Sequence, residues 1–154
     1  MTNYPSIACL LPHDDPMILI DHAIDIQSDS IHCQVIISQK NPFFDVQTHK
    51  IPAYVGIEFM AQSVAAWSGY HSLQKGSEPP IGFLLGSRRY TVNCDSFEDG
   101  QLLEIYAEKV MEDNGMAVFT ARIEHDQKPM ASCQLNVYVP SEEKLEQMKI
   151  RTQQ

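Results

Sequence analysis

The sequence is short of basic residues, of glycine and of long apolar runs, and each shortage excludes a class of protein. Only 11 Lys and Arg stand against 20 Asp and Glu in 154 residues, a net charge of -9, which excludes a protein that coats nucleic acid with a basic surface. The 7 glycines and 9 prolines follow no repeat, which excludes collagen-like and linker-dominated chains. No apolar run reaches the roughly 18 residues that a membrane-spanning helix needs.

Cysteine and histidine are too scattered to indicate a metal site. The 4 cysteines form no CxxC pair and the 6 histidines form no HxxxH pair, so the spacing of metal ligands is missing. We expect reduced cysteines that pack as small apolar residues, and no metal or organic cofactor is indicated. The first residues lack the basic start and apolar stretch of a signal peptide, so we expect a cytoplasmic location.

The length and the apolar content predict one domain over 1–154, because 44% of the residues are hydrophobic and can form a single core. Alternating apolar and polar residues predict strands along much of it. The predicted strands cover 17–26, 30–38, 82–92, 101–111, 116–125 and 128–139. The stretch over 39–51 is irregular, and a charged tail from about 141 is expected to form a loose terminal helix.

Turn residues between these segments predict how the strands connect. A Ser-Asp-Ser link at 28–30 suits a hairpin between the first two strands. Asn114-Gly115 and the stretch over 126–129 suit tight reversals, so the last three strands are predicted to form an antiparallel meander.

The segment after Pro52 predicts one long helix. It contains no further proline before Pro79, and Gly76 suits its end. Its residues are apolar nearly all round, which is typical of a buried helix. Together with the strands this predicts an α+β fold, in which a curved antiparallel sheet of five to six strands wraps round one long central helix.

A single carboxylate in this helix is the first sign of chemistry. Glu58 is the only Asp, Glu, Lys or Arg over 52–74. Burial disfavours an ionised carboxyl, so a buried Glu58 would exchange protons near neutral pH. Gln62 lies four residues on, on the same face, where it can hold the carboxyl by a hydrogen bond. The alternative is a structural glutamate satisfied by the backbone or by Arg88.

The start of the same helix is a second element of chemistry. Backbone N–H groups over 53–56 project from the helix end, where partial positive charge gathers. Such groups would stabilise the oxygen of a thioester or of a carboxylate. Apolar residues around this point, Phe44 and Tyr54 among them, could line a narrow acyl slot.

Three segments carry a resemblance to a known family. The segment over 11–21 reads LPHDDPMILID, that over 52–62 reads PAYVGIEFMAQ, and that over 97–102 reads FEDGQL. In order and spacing they resemble the bacterial β-hydroxyacyl-acyl carrier protein dehydratases over roughly residues 8–139. The amino-acid sequences of residues 57–70 and 82–94 resemble in particular those of the dehydratase-like subunits encoded in aryl polyene biosynthesis clusters. The resemblance implies the hot-dog fold, a sheet curled round one helix.

The resemblance also implies roles for individual residues. The acid that protonates the leaving 3-hydroxyl corresponds to Glu58, and the helix-start amides of Ala53, Tyr54 and Gly56 polarise the thioester carbonyl. The family removes the C2 proton with a histidine fourteen positions before the acid, and this chain has Phe44 there. His49 is the nearest imidazole and is the candidate base. Substrate-binding positions are therefore expected at Ala53, Tyr54, Gly56, Gln62 and Phe44.

Three functions remain open from the sequence. The first is a 3-hydroxyacyl-acyl carrier protein dehydratase that acts through Glu58 and releases a trans-2-enoyl thioester. The second is a non-catalytic hot-dog subunit that pairs with a separate dehydratase and stabilises it. The third, ranked last, is an acyl thioesterase in which Glu58 activates water.

The expected partners follow from the same resemblance. Acyl carrier proteins are acidic, so a chain of charge -9 needs a local basic patch to bind one. Arg88 and Arg89 are the candidate docking residues, unless they pair with carboxylates on neighbouring strands. A dimer through the sheet is implied, either a homodimer or a heterodimer with another hot-dog dehydratase.

Overall fold

The computed structural model describes residues 4–12, 17–76 and 83–138. Two helices, α1 and α2, and eight strands, β1 to β8, follow one another along these residues. The elements are α1 Ile7–Leu10, β1 His22–Ile26, β2 Ser30–Ile36, β3 Lys50–Pro52, a 3-10 turn Ala53–Val55, α2 Gly56–Gln74, β4 Phe83–Val92, β5 Ser96–Glu98, β6 Leu102–Asp113, β7 Met116–His125 and β8 Lys128–Tyr138. The predicted tail from about 141 lies outside the described residues.

Six strands form one antiparallel sheet in the order β1-β2-β6-β7-β8-β4. The predicted hairpins are confirmed. Asn114 and Gly115 have φ of 52° and 84°, and Asp126 and Gln127 have φ of 52° and 65°, which is the left-handed backbone that two-residue hairpin turns require. A second, two-stranded sheet pairs β3 with β5, in stretches where no strand was predicted.

The sheet packs its apolar face on α2, as the alternation of its residues predicts. Inward-facing residues of the long strands, such as Ile105, Phe119 and Leu135, meet Phe59 and Met60 of the helix in one hydrophobic core. The expected architecture, a curved sheet of six strands round one central helix, is confirmed. Among the described residues, no helix is both long enough and apolar enough to cross a membrane.

α2 is buried in the centre of the fold, as predicted, but its faces are not equally covered. Phe59, Met60 and Ala66 are fully buried, but Ile57 and Ala61 on another face are only half-buried. The six strands cover one side of the helix, so its apolar residues on the other side stay partly open to solvent.

One element boundary differs from the prediction for a local reason, and another agrees with it. β1 begins at His22 and not at residue 17, because the Leu19 N–H is hydrogen-bonded to the Gln62 side chain over 2.8 Å and not to a strand. The helix ends where it was predicted to end, with Gly76 in the left-handed region at φ 80°.

Candidate active site

The start of α2 is held by a short strand and a 3-10 turn that precede it, and by β5 from later in the chain. β3 pairs with β5 through Ile51 and Phe97, and this pairing fixes the backbone that enters the 3-10 turn at Ala53. The first N–H groups of a helix have no partner within it, so those of the turn carry the partial positive charge expected of a helix start. Ala53 is buried, whereas Tyr54 is 66% exposed beside it.

Glu58 lies in the first turn of α2 and is half-buried. Glu58 is therefore less deeply buried than was predicted, because it lies where the sheet leaves the helix partly uncovered. The predicted hydrogen bond is present: Gln62 Nε2 donates to Glu58 Oε1 over 3.3 Å. Among the described residues Glu58 forms no ion pair, so the alternative of a structural pair with Arg88 finds no support there.

Gln62 is more deeply buried than the glutamate that it holds, with 1% of its surface exposed. Its Oε1 accepts the Leu19 N–H over 2.8 Å, and its Nε2 donates to the Met17 carbonyl over 2.6 Å as well as to Glu58. An amide oxygen must face the Leu19 N–H, so the amide nitrogen must face the carboxylate. The segment that precedes β1 thus determines the orientation of Gln62.

Gly56, the first residue of α2, packs against three side chains from different strands. A Cβ atom at Gly56 would lie 2.6 Å from the Tyr90 hydroxyl oxygen, 3.2 Å from Phe97 and 3.3 Å from Ile123. Only glycine fits this position without displacing a neighbour. The Tyr90 hydroxyl donates a hydrogen bond to the Ala53 carbonyl.

The Tyr90 hydroxyl stays protonated well above neutral pH. Desolvation raises the pKa of Tyr90 to about 12, and the nearby Cys94 and Cys133 add to the increase. At neutral pH the hydroxyl is therefore a hydrogen-bond donor to the helix start.

His49, the candidate base, lies in the loop before β3 with φ 58°. Its side chain is 68% exposed, its Nδ1 is 3.9 Å from Asp99 Oδ2, and its ring lies 5.9 Å from the ring of Phe44. In the described part of the chain, no hydrogen bond or ion pair joins His49 to Glu58. Its role as the base stays a prediction.

Phe44 occupies the loop position at which the family resemblance expects a histidine. Its ring packs against the hydrophobic core, and its N–H donates to the Asn41 carbonyl over 3.0 Å. An apolar ring therefore stands where the related dehydratases have their histidine according to the resemblance.

Arg88 and Arg89 lie on β4, at the end of the strand order in the six-stranded sheet. Both side chains are exposed, and the pairing of β4 with β8 is interrupted between Arg88 and Thr91. Within the described residues neither guanidinium lies in an ion pair, so the alternative that they pair with neighbouring carboxylates has no support there. They remain candidates for docking.

Tyr90 is the residue that the sequence did not reveal. Its hydrogen bond to Ala53 spans 37 residues, and a tyrosine within an alternating strand carries no local sign of such a contact.

The described residues contain no group of three or more His, Cys, Asp or Glu side chains that could hold a metal ion.

Several solved structures resemble this fold. The dehydratase heterocomplex ApeI:P from Xenorhabdus doucetiae contains a chain that is 29% identical, with a TM-score of 0.86 over 94% of this chain and 97% of that chain. Cj0977, a virulence protein from Campylobacter jejuni, matches with a TM-score of 0.64 and 12% identity over 92% of this chain and 97% of that chain. A hypothetical thioesterase from Streptococcus pneumoniae matches with a TM-score of 0.60 and 9% identity over 77% and 86% of the two chains.

The two matches at low identity show the fold alone, which is the expected hot-dog fold. No curated protein matches the sequence. A family model described as ApeP dehydratase matches residues 5–149, which confirms the resemblance to dehydratase-like subunits of aryl polyene biosynthesis. The chain belongs to the ApeP-like dehydratase family.

Proposed function

We propose that this chain takes part in the dehydration of a 3-hydroxyacyl thioester carried on an acyl carrier protein, with Glu58 as the acid. The observation that carries the proposal is the position of this carboxyl. Glu58 lies in the first turn of α2 and is held by the buried Gln62. A proton donor and the N–H groups of the turn residues 53–55, which have no partner within the helix, therefore lie within about one turn of each other.

The reaction balances with these groups and one base. The base removes the C2 proton, the electron pair of that bond forms the C2=C3 double bond, and the C3–O bond breaks. Glu58 gives its proton to the departing hydroxyl, so the products are water and a trans-2-enoyl thioester. The N–H groups of the turn residues 53–55 stabilise the negative charge that develops on the thioester oxygen, whereas the Gly56 N–H is already bonded to the Ala53 carbonyl.

Gln62 decides which oxygen of Glu58 carries the proton. Because Gln62 Nε2 donates to Oε1, that oxygen is already an acceptor. The proton for the leaving hydroxyl belongs on Oε2. This arrangement keeps the carboxyl in one orientation before the substrate arrives, which reduces the entropy lost on reaching the reactive geometry.

The base is supplied either by His49 or by an imidazole of a second subunit. The exposure of His49 and its contact with Asp99 favour a partner's imidazole. The presence of Phe44 in place of a loop histidine favours it further. A second hot-dog chain is the proposed partner, which agrees with the similarity to a chain of a dehydratase heterocomplex.

Docking of the carrier protein is assigned to Arg88 and Arg89. Both are exposed cations on β4, and neither is neutralised by a carboxylate among the described residues. A carrier protein of net negative charge would gain attraction from both.

A non-catalytic subunit is the second candidate function, and Phe44 is the observation that favours it. A chain without its own loop histidine could serve to stabilise the catalytic partner. In that case Glu58 would be dispensable for water loss. A thioesterase, the third candidate, would release a free acid.

Mass spectrometry of a 3-hydroxyacyl carrier protein tests these functions directly. The substrate is incubated with the protein alone and together with its partner subunit, as wild type, Glu58→Gln and Glu108→Gln. Glu108 is an exposed carboxylate of β6 and is the matched control.

We expect loss of one water with wild type and with Glu108→Gln, and a rate lower by about 100-fold or more with Glu58→Gln. Water loss that is unchanged in Glu58→Gln would overturn the catalytic role and leave the stabilising subunit. Release of free acid would instead identify a thioesterase.

A further inference from the structure

Tyr90 reaches the helix start because β4 is irregular at this point. The pairing of β4 with β8 shifts between Arg88 and Thr91, and Arg89 has φ 57°. A bulge of this kind re-aims the side chains that follow it. The consecutive residues Arg88 and Arg89 are both exposed. The next residue, Tyr90, is half-buried and packs against the core.

The hydroxyl of Tyr90 completes the hydrogen bonding of one carbonyl. The Ala53 carbonyl accepts the Gly56 N–H, which closes the 3-10 turn, and it also accepts the Tyr90 hydroxyl. A carbonyl oxygen has two lone pairs, so both are used. The turn that presents the helix-start N–H groups is thereby tied to a strand 37 residues away in sequence.

Tyr90 also lies close to Gly56, at the other end of the same turn. The position that a Cβ of Gly56 would take is 2.6 Å from the Tyr90 hydroxyl oxygen. The hydroxyl therefore touches both the residue that opens the turn and the residue that begins α2. A shift of this hydroxyl would move the turn as a unit.

We infer that Tyr90 is a positioning residue, whose hydroxyl holds the turn over 53–56 so that the N–H groups of its first three residues meet the oxygen of the thioester. The inference rests on the proposed function, and adds to it a residue that touches neither the substrate nor Glu58. The hydroxyl does not itself transfer a proton, because it remains bonded to the Ala53 carbonyl.

The test compares Tyr90→Phe with Tyr106→Phe in steady-state dehydration of the carrier-linked substrate. Tyr106 lies on β6, where its ring stacks on His32, and serves as the control for loss of a tyrosine hydroxyl. Misplacement of groups by about 1 Å costs up to about 100-fold. For Tyr90→Phe we expect kcat to fall about 10-fold or more with KM within about twofold, and for Tyr106→Phe we expect neither to change.

A second readout is amide hydrogen exchange of the peptide over 53–60. Tyr90→Phe should speed exchange there several-fold, while peptides from β6 and β7 keep the wild-type rate. If Tyr90 only stabilised the fold, Tyr90→Phe would instead speed amide exchange throughout the sheet and leave kcat per folded protein unchanged.

The outcomes separate the two proposals. If wild type removes water and Glu58→Gln does not, but Tyr90→Phe retains the wild-type kcat, the inference on Tyr90 is wrong and the proposed function stands. If exchange over 53–60 is unchanged in Tyr90→Phe, the inference is also wrong. If wild type with its partner removes no water, the proposed function fails and this inference fails with it.

Discussion

Gln62 donates a hydrogen bond to Glu58 Oε1 over 3.3 Å while its own oxygen accepts the Leu19 N–H over 2.8 Å. One buried amide thus connects the segment before β1 with the candidate acid. The connection explains why a polar residue lies 1% exposed in a helix of mainly apolar residues. The Gln62 side chain therefore contributes both to the stability of the folded chain and to the orientation of the Glu58 carboxyl.

Gln62→Leu should therefore destabilise the protein and impair dehydration together. Leucine has a similar volume but leaves the Leu19 N–H and the Met17 carbonyl without partners, at a cost of about 2–4 kcal/mol in the free energy of unfolding. Urea denaturation measures this cost. Gln134→Leu is the control, because among the described residues the Gln134 side chain bonds only to Asn136, on the other face of the sheet, and its expected effect is within about 0.5 kcal/mol. Equal losses in the two variants would contradict the role of Gln62.

Gly69→Ala should be strongly destabilising although alanine is the better helix former. A Cβ at Gly69 would lie 1.9 Å from the carbonyl oxygen of Leu10, so α1 would have to move away from α2. Alanine in place of a helical glycine otherwise stabilises by up to about 1 kcal/mol. We expect a net loss of about 2 kcal/mol or more in the free energy of unfolding.

Gly86→Ala is the matched control for this packing prediction. Among the residues that the structure describes, a Cβ at Gly86 would meet no atom within 4 Å. Its free energy of unfolding should stay close to that of wild type by urea denaturation. A stable Gly69→Ala variant would show that α1 does not pack against α2 at this point.

Most of the fold could be predicted because its signals are local. The long strands follow from the alternation of their residues, and the helix follows from a long apolar stretch without proline that ends at Gly76. The hairpins follow from residues such as Asn114 and Gly115 that tolerate positive φ. β3 and β5 have three residues each, too few to show a period. The start of β1 depended on the bond between Leu19 and Gln62, which joins residues 43 apart.

The site was less predictable, since its contacts join distant segments. The spacing of Glu58 and Gln62 on one helix correctly predicted their hydrogen bond. The burial of Glu58 was overestimated, because helix composition does not reveal which side the sheet leaves open. Tyr90 was missed, because only the bulge after Arg88 and the fold of β4 against the helix start bring its hydroxyl to Ala53.

Alkaline pH should destabilise the protein through Cys33. Burial raises the pKa of this thiol from 9.0 to about 12, partly offset by a hydrogen bond with Ser63. Below pH 9 both the folded and the unfolded state hold the proton, so the full stability is present. Above it the unfolded thiol ionises first, so the free energy of unfolding falls as pH rises toward 12, by about 1 kcal/mol per pH unit.

Urea denaturation at pH 8, 9, 10 and 11 under reducing conditions measures this dependence. Cys33→Val removes the titrating group, so its stability should fall less steeply with pH than that of wild type. Cys9→Ala is the control, because Cys9 is exposed, and it should keep the wild-type slope. A Cys33→Val slope equal to that of wild type would rule out the thiol as the cause.

Reversal of the charges at Arg88 and Arg89 should weaken binding of the carrier protein without changing the chemistry. With both replaced by Glu, we expect KM for a carrier-linked substrate to rise about 10-fold at low salt, and less at high salt because ions screen the attraction. KM for the same acyl group on free pantetheine should not change. Lys75→Glu, an exposed cation just beyond the far end of α2, is the control.

Sedimentation of the same variants separates docking from subunit pairing. The double variant should keep the mass of the wild-type complex. A fall in mass, or an equal rise in KM for both substrates, would show that the arginines act elsewhere than on the carrier protein.

The contact between Gly56 and Tyr90 predicts a non-additive pair of substitutions. Gly56→Ala places a Cβ 2.6 Å from the Tyr90 oxygen, closer than its approach to Phe97 or Ile123, and should cost about 1–3 kcal/mol in the free energy of unfolding. Tyr90→Phe removes the atom that is too close. Gly56→Ala should therefore cost less in the Tyr90→Phe background, with a coupling of about 0.5 kcal/mol or more. Additive costs in urea denaturation would mean that Phe97 and Ile123, and not the hydroxyl, hold the first residue of α2 in place.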